Sequence, residues 1–367
     1  MTLNIVVFGL SITSSWGNGH AVTYRALIKA LAARGHDVTF LERDVDWYRE
    51  NRDLPRADYC RIELYQELRD VPARFGALVA GADLVIIGSF VPEGAVLGEW
   101  VTSVADGVTA FYDIDTPVTL AGLAERRIDY LTPSLIPRYD LYLSFTGGPT
   151  LDLLEARYGS PCARALYCTA DGDVHSPRDL PQEWTLGYLG TYSKDRQPAL
   201  TRLLIEPARK LKDQRFVVVG AQYPGSLRWP RNVARVAHLP PREHPAFYAR
   251  QRFTLNITRA DMLAAGFSPS VRLFEAAACG VPVITDRWTG LEEFFRPGEE
   301  ILIADGTTDA LALLSDLSEA RRRAIGEAAR RRFLAAHTPA HRARDLESYY
   351  QGVVQAKPAA ALAEDVA

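Results

Sequence analysis

The chain has 367 residues, 47% of them apolar and 24% charged, and a formal net charge of −3. That length suits two globular domains better than one, and the composition is that of an ordinary soluble globular protein. The slight acidic excess argues against a protein that grips nucleic acid through backbone charge. No apolar run approaches the ~18 residues of a spanning helix. The opening MTLNIVVFGLSITSS lacks the basic n-region of a signal peptide. Cys60, Cys162, Cys168 and Cys279 show neither CxxC pairing nor zinc spacing. Free thiols in a reducing, cytoplasmic setting are therefore expected.

The N-terminal half alternates apolar runs with amphipathic ones. Residues 4–10 read as a strand. Residues 20–34 read as a helix, with Ala21, Tyr24, Leu27, Ile28 and Leu31 at helical spacing and Gly35 as its stop. Residues 37–42, 80–89, 108–114 and 141–145 read as further strands, and the aromatic-rich 47–65 as core or pocket wall. Residues 168–184 are polar and turn-rich, which marks a domain boundary. Strands are then expected at 185–190, 215–220, 252–257, 281–285 and 300–303. Helices are expected at 197–212, 245–250, 271–278, 308–315, 319–336 and 341–354, followed by a frayed alanine-rich tail at 357–367. Such alternation predicts parallel sheets covered on both faces, with active groups beyond the carboxyl ends of the strands.

Several positions carry chemistry. The loop at 9–20 follows a strand and opens a helix, so its small residues let backbone N–H groups approach an anion or a sugar. Its spacing is not GxGxxG, which disfavours an NAD-dependent oxidoreductase. His20 stands at the helix start, where the positive helix end keeps an imidazole neutral and able to act as a base. The plainer reading is that it caps or packs there. Asp113 and Asp115, in FYDIDTPVT, share a face if the strand continues through them. They would orient His20, bind acceptor hydroxyls or serve as the base, or else merely cap the next turn. His337 and His341 are separated by Pro339, so no shared helix places them for a metal. The arginine triplets at 321–323 and 330–332 read as a solvated helix face.

The segment 265–305 is the most informative. Ser268 and Ser270 with Pro269 signal a helix start, and Leu273, Phe274, Ala277 and Ala278 form its buried stripe. Glu275 is a lone carboxylate inside it and needs a partner. A helix start beside Arg272 is a natural site for phosphate, with Val271 its first helical residue, and a carboxylate one turn on is placed to accept hydrogen bonds from a ribose. Together these point to a nucleoside diphosphate site. Arg259, at the end of an apolar strand, suits phosphate or a sugar carboxylate, or forms an ion pair with Glu275.

LGYLGTYSKDRQP at 186–198, LNITRADM at 255–262 and SPSVRLFEAAACGVPVITD at 268–286 resemble the nucleotide-sugar motifs of GT-B glycosyltransferases, most closely the spore-maturation-type (CgeB-like) family. The resemblance implies an α/β fold of two facing Rossmann-like domains with a cleft between them and a C-terminal crossover helix. Residues 1–170 would bind acceptor and 171–338 the nucleotide sugar, with 339–356 packing back on the first domain. It implies transfer of a sugar from a UDP- or dTDP-sugar to an acceptor hydroxyl or amine, with no permanent cofactor, no metal and no membrane segment; a homodimer is allowed. The turn carrying Gly190, Tyr192 and Arg196 would face the diphosphate, the turn at His238 the base, and His20 with Asp113 or Asp115 the acceptor. Domain closure would exclude water. Many retaining relatives carry a Glu-x7-Glu pair. Glu275 fits its second position, but Phe267 stands at the first, which leaves the sugar contacts and stereochemistry open. A nucleotide-sugar epimerase and a non-catalytic nucleotide-sugar-binding protein are the alternatives.

Overall fold

The computed structural model describes residues 2–17 and 19–364. The chain divides into two compact units. One is Met1–Cys168 together with Pro339–Ala367, and the other is Thr169–Thr338.

The first unit is built on seven parallel strands: β1 (Asn4–Gly9), β2 (Asp37–Arg43), β3 (Arg61–Tyr65), β4 (Leu84–Gly88), β5 (Val108–Asp113), β6 (Leu141–Ser144) and β7 (Ala163–Ala165), in the spatial order β3-β2-β1-β4-β5-β6-β7. The central strands are buried on both faces, which is why LVIIG in β4 and VTAFYD in β5 run without a polar alternation. Phe8, Val85, Ile87, Phe111 and Tyr142 anchor its core. Strand order reverses between β1 and β4, and a doubly wound sheet opens a crevice at such a reversal.

The second unit repeats the plan with six parallel strands: β8 (Trp184–Leu189), β9 (Phe216–Val219), β10 (Val233–Val236), β11 (Gln251–Asn256), β12 (Val283–Thr285) and β13 (Leu302–Ile303), in the order β10-β9-β8-β11-β12-β13. Its reversal lies between β8 and β11. Leu186, Phe253, Leu255 and Ile284 fill the core.

Three short edge or near-edge strands, β3, β7 and β10, escape the sequence reading because each is at most half-buried along most of its length. The helices Val71–Ala80, Gly94–Val104, Thr116–Ala124 and Pro149–Ala156 escape it as well. Their small or proline residues blur the period: a Cβ at Gly98 would meet the Tyr139 hydroxyl at 2.2 Å, so glycine is what lets that helix pack. The helix expected at 197–212 is broken by a π-turn at Thr201–Ile205, just before Pro207, which has no N–H to continue the regular ladder.

The last helix, Pro339–Glu364, continues through residues read from the sequence as a frayed tail and packs on the helix Gly19–Ala33 and on β5 and β6. Glu347 on it accepts from Arg34 Nε and Nη2, each at 2.6 Å, and lies 2.7 Å from His36 Nε2. Tyr349 donates to the Ala165 carbonyl, and Lys357 pairs with Asp140 at 3.0 Å. Among the described residues no helix is long and apolar enough to cross a membrane.

Candidate functional site

In the second unit, the carboxyl ends of β8 and β11 meet the start of the helix Val271–Ala278. Arg272 ties them together: its Nε donates to the Leu189 carbonyl at 2.7 Å and its Nη1 to Asn256 Oδ1 at 2.7 Å, while its guanidinium lies 5.1 Å from the Tyr188 ring. Ser270 is the N-cap, yet its hydroxyl does not close on the helix; it donates to the same Asn256 Oδ1 at 2.8 Å. The first helical N–H groups, from Val271 on, therefore keep no side-chain cap, and the positive helix end stands beside the two strands that Arg272 braces. Ser268 is buried beside them.

Glu275 is 3% exposed. Its Oε2 accepts from the Tyr248 hydroxyl at 2.7 Å, and its Oε1 lies 3.5 Å from both His175 Nε2 and His244 Nδ1. Burial alone would raise this carboxyl, but the charge of His244, then that of His175, and the Tyr248 hydroxyl outweigh it and hold the group down at about 2. Conversely, burial would lower His244, and the carboxylate pulls it up. The partners of Glu275 are thus a tyrosine and two histidines rather than Arg259.

The turn after β8 is packed against β9: Tyr223 donates to the Gly190 carbonyl at 3.0 Å, and a Cβ on Gly220, whose φ is +151°, would strike that same carbonyl at 2.1 Å. Tyr192 meets the Tyr223 ring edge-on at 5.5 Å. Arg196 donates to the Thr191 carbonyl at 2.8 Å, bracing its own turn. Gly190, Ser270 and Arg272 are therefore brought together, with Arg196 on the adjoining turn. Arg259 follows Ile257 and Thr258 after β11, as the N-cap of the helix Ala260–Ala265, and His238 lies exposed beyond β10. Phe267, in the place of the first glutamate, sits at φ +47°, a left-handed conformation rare for a bulky residue, and its ring packs on Gly290. A cage went unread in the sequence: the Arg235 guanidinium lies 3.9 Å from the Tyr223 ring and 4.3 Å from Trp229. Nothing in a short edge strand and the loop before it announces such a contact.

In the first unit the loop after β1 differs from its sequence reading. The N–H groups of Ile12 and Thr13 donate to Glu42 Oε2 at 2.8 and 3.0 Å, and the Ser11 and Thr13 hydroxyls to Oε1 at 3.0 and 2.6 Å. The anion these amides receive is a fully buried carboxylate of the chain itself, so they are not open to a ligand. Glu42→Ala strands four donors at once; we expect it to cost about 3 kcal/mol or more in chemical denaturation.

His20 is half-buried at the start of its helix, with Phe90 edge-on at 5.2 Å, and burial pushes its imidazole down to about 4. Phe90 itself has φ +65° at the end of β4, beside the strand-order reversal. It stacks on Tyr130 at 4.9 Å, whose hydroxyl meets Thr119 Oγ1 at 3.0 Å, which in turn donates to Asp113 Oδ1 at 2.7 Å. Asp113 Oδ2 accepts from Tyr142 at 2.6 Å. β5 ends at Asp113, and Asp115 lies in the turn that opens the helix Thr116–Ala124, so the two do not share an extended face.

Burial raises the Asp113 carboxyl to about 6, against the hydrogen bonds from Tyr142 and Thr119. A raised carboxyl binds its proton more tightly folded than unfolded, so stability falls as pH rises from 3.8 to about 6. Wild type should lose about 3 kcal/mol relative to Asp113→Asn across that window. Denaturation of both proteins at a series of pH values reads that difference.

Residues 196–348 match the family described as "Glycosyl transferase-like". The whole chain is similar in fold to sucrose-phosphate synthase from Thermosynechococcus elongatus (16% identity, 96% of this chain and 100% of that one, TM-score 0.69). The same holds for Anabaena HepE in complex with UDP and glucose (12%, 95% and 100%, TM-score 0.71) and for an alpha-glucosyltransferase in complex with UDP-glucose and DNA containing an abasic site (14%, 96% and 100%, TM-score 0.73). The chain has the GT-B fold, and the part of it from 196 to 348 is similar to the glycosyl transferase-like family. No curated protein matches it.

Proposed function

We propose that this GT-B protein transfers a sugar from a nucleoside diphosphate sugar, with UDP or dTDP as carrier, to an acceptor hydroxyl or amine. One observation carries the reading: Arg272 and Ser270 converge on Asn256 where β8 and β11 part, leaving an uncapped helix end one turn from an ionised, buried glutamate. The helix end and the arginines take the diphosphate and stabilise the charge it gathers on leaving. Glu275 accepts from the ribose, the turn at His238 meets the base, and Gly190, Tyr192 and Arg196 flank the phosphates, with Arg259 beside them. In the first unit His20, kept neutral, and Asp113 and Asp115 serve the acceptor. UDP or UDP-glucose stands beside several of the similar folds, which favours a uridine donor. The three quoted motifs favour the spore-maturation-type family within the group.

A thermal-shift screen of nucleoside diphosphates and their sugars tests this. A ligand at ~100 times its dissociation constant adds about 2.7 kcal/mol and moves the midpoint by several degrees. One diphosphate series should stand out. No shift with any nucleotide at millimolar concentration defeats the reading.

A further inference from the structure

Tyr248 accounts for one oxygen of Glu275 and leaves the other facing two imidazoles. His175 Nδ1 lies 3.3 Å from the Asp171 carbonyl and His244 Nε2 3.2 Å from the Leu239 carbonyl. A carbonyl can only accept, so each ring presents its N–H there. In a neutral ring so oriented, the opposite nitrogen, His175 Nε2 or His244 Nδ1, is a lone pair. Both atoms are buried and make no close hydrogen bond, each lying 3.5 Å from Glu275 Oε1, and His175 is 3% exposed. With Glu275 Oε1 they make three acceptors within 4.8 Å of one another. Three acceptors converging in a buried space need positive charge among them, from a proton on an imidazole or from a metal ion in its place.

We propose that His175, His244 and Glu275 bind a divalent transition-metal ion of the zinc class. Tetrahedral zinc with bonds of 2.0–2.1 Å sets its ligands about 3.3 Å apart, close to the 3.5 Å from Glu275 Oε1 to each nitrogen. Two imidazoles and one carboxylate form a donor set that zinc uses with its fourth position open. Imidazoles select zinc, copper or nickel over magnesium or calcium. The outer contacts are those of a metal centre: each histidine is oriented by a backbone carbonyl, and the carboxylate by a tyrosine hydroxyl. His175 lies just past the start of the second unit, far in sequence from the motifs around Glu275. The inference goes beyond the donor reading and does not depend on it. The two meet at Glu275 Oε1, because an ion there takes the oxygen a ribose would use.

The test uses the full chain stripped with a chelator. Titrated with Co2+, it should take up one equivalent with the strong visible bands of a four-coordinate site, and Zn2+ should displace it. His175→Gln and His244→Gln should each weaken uptake by about 100-fold or more, with folding checked by circular dichroism. His20→Gln should leave uptake unchanged. The proposal is overturned by any of three results: only the pale spectrum of hydrated cobalt, uptake that both glutamine variants retain, or uptake that His20→Gln also removes. A proton shared by His244 and Glu275 would then be all the cluster holds. UDP titrated into the stripped protein is a separate reading: its failure to bind refutes the donor site and leaves the metal result standing.

Discussion

Glu275→Gln should weaken binding of the nucleoside diphosphate by about 100-fold. A charged acceptor facing two ribose hydroxyls contributes about 1.5–3 kcal/mol per hydrogen bond, and two such bonds at the low end make two orders of magnitude. The carboxyl is held at about 2, so it is ionised throughout the neutral range and the effect should not depend on pH there. Glutamine keeps the shape and one acceptor for Tyr248, which separates lost recognition from lost structure. Glu275→Ala is the harsher variant. It leaves the Tyr248 hydroxyl and the histidine charge in a buried site without their partner and should cost about 3 kcal/mol or more of stability. Titration calorimetry with the diphosphate, beside melting curves, gives both numbers. A folded Glu275→Gln variant with wild-type affinity would remove the ribose assignment.

Arg272→Ala should lower the rate of transfer by about 100- to 1,000-fold, with a smaller effect on donor affinity, because charge on the diphosphate grows as the sugar leaves. Arg272→Lys should not restore it. One guanidinium edge reaches the Leu189 carbonyl while another nitrogen reaches Asn256, and the planar fork holds both at once. A lysine offers a single point charge on a flexible stem. Single-turnover rates with saturating donor distinguish the two effects. Wild-type turnover in Arg272→Lys would show that only charge matters at this position, and unchanged turnover in Arg272→Ala would exclude it from leaving-group stabilisation.

The alternating pattern of buried strands was legible because parallel strands covered on both faces read as unbroken apolar runs, as in LVIIG and FVVV. So was the helix at 271–278 with its single internal glutamate. What escaped was tertiary in origin. Glu42 looks like the polar end of a strand, and only folding shows it gathering four donors from the loop after β1. His175 sits in a turn-rich stretch with no periodicity, and only folding carries it to Glu275. Asp113 and Asp115 are two apart in sequence, but the strand ends between them, so an alternation argument put them on a common face that the turn abolishes. The strained Phe90 and Phe267 carry no mark in the sequence, since left-handed backbone is expected of glycine and asparagine, not phenylalanine.

The route of the chain also sets an order of assembly. The second unit is one continuous stretch, Thr169–Thr338, whereas the first is interrupted by it and completed by the final helix. Arg34 and His36 wait for Glu347, which lies 311 residues beyond His36. During synthesis the face of the helix Gly19–Ala33 that this last helix covers has no cover until the residues from Pro339 on have emerged. The second unit can therefore reach its native state while the first has all seven strands but lacks its closing helix. Of the two units, the first is thus the one whose transiently uncovered surface invites association before folding is finished.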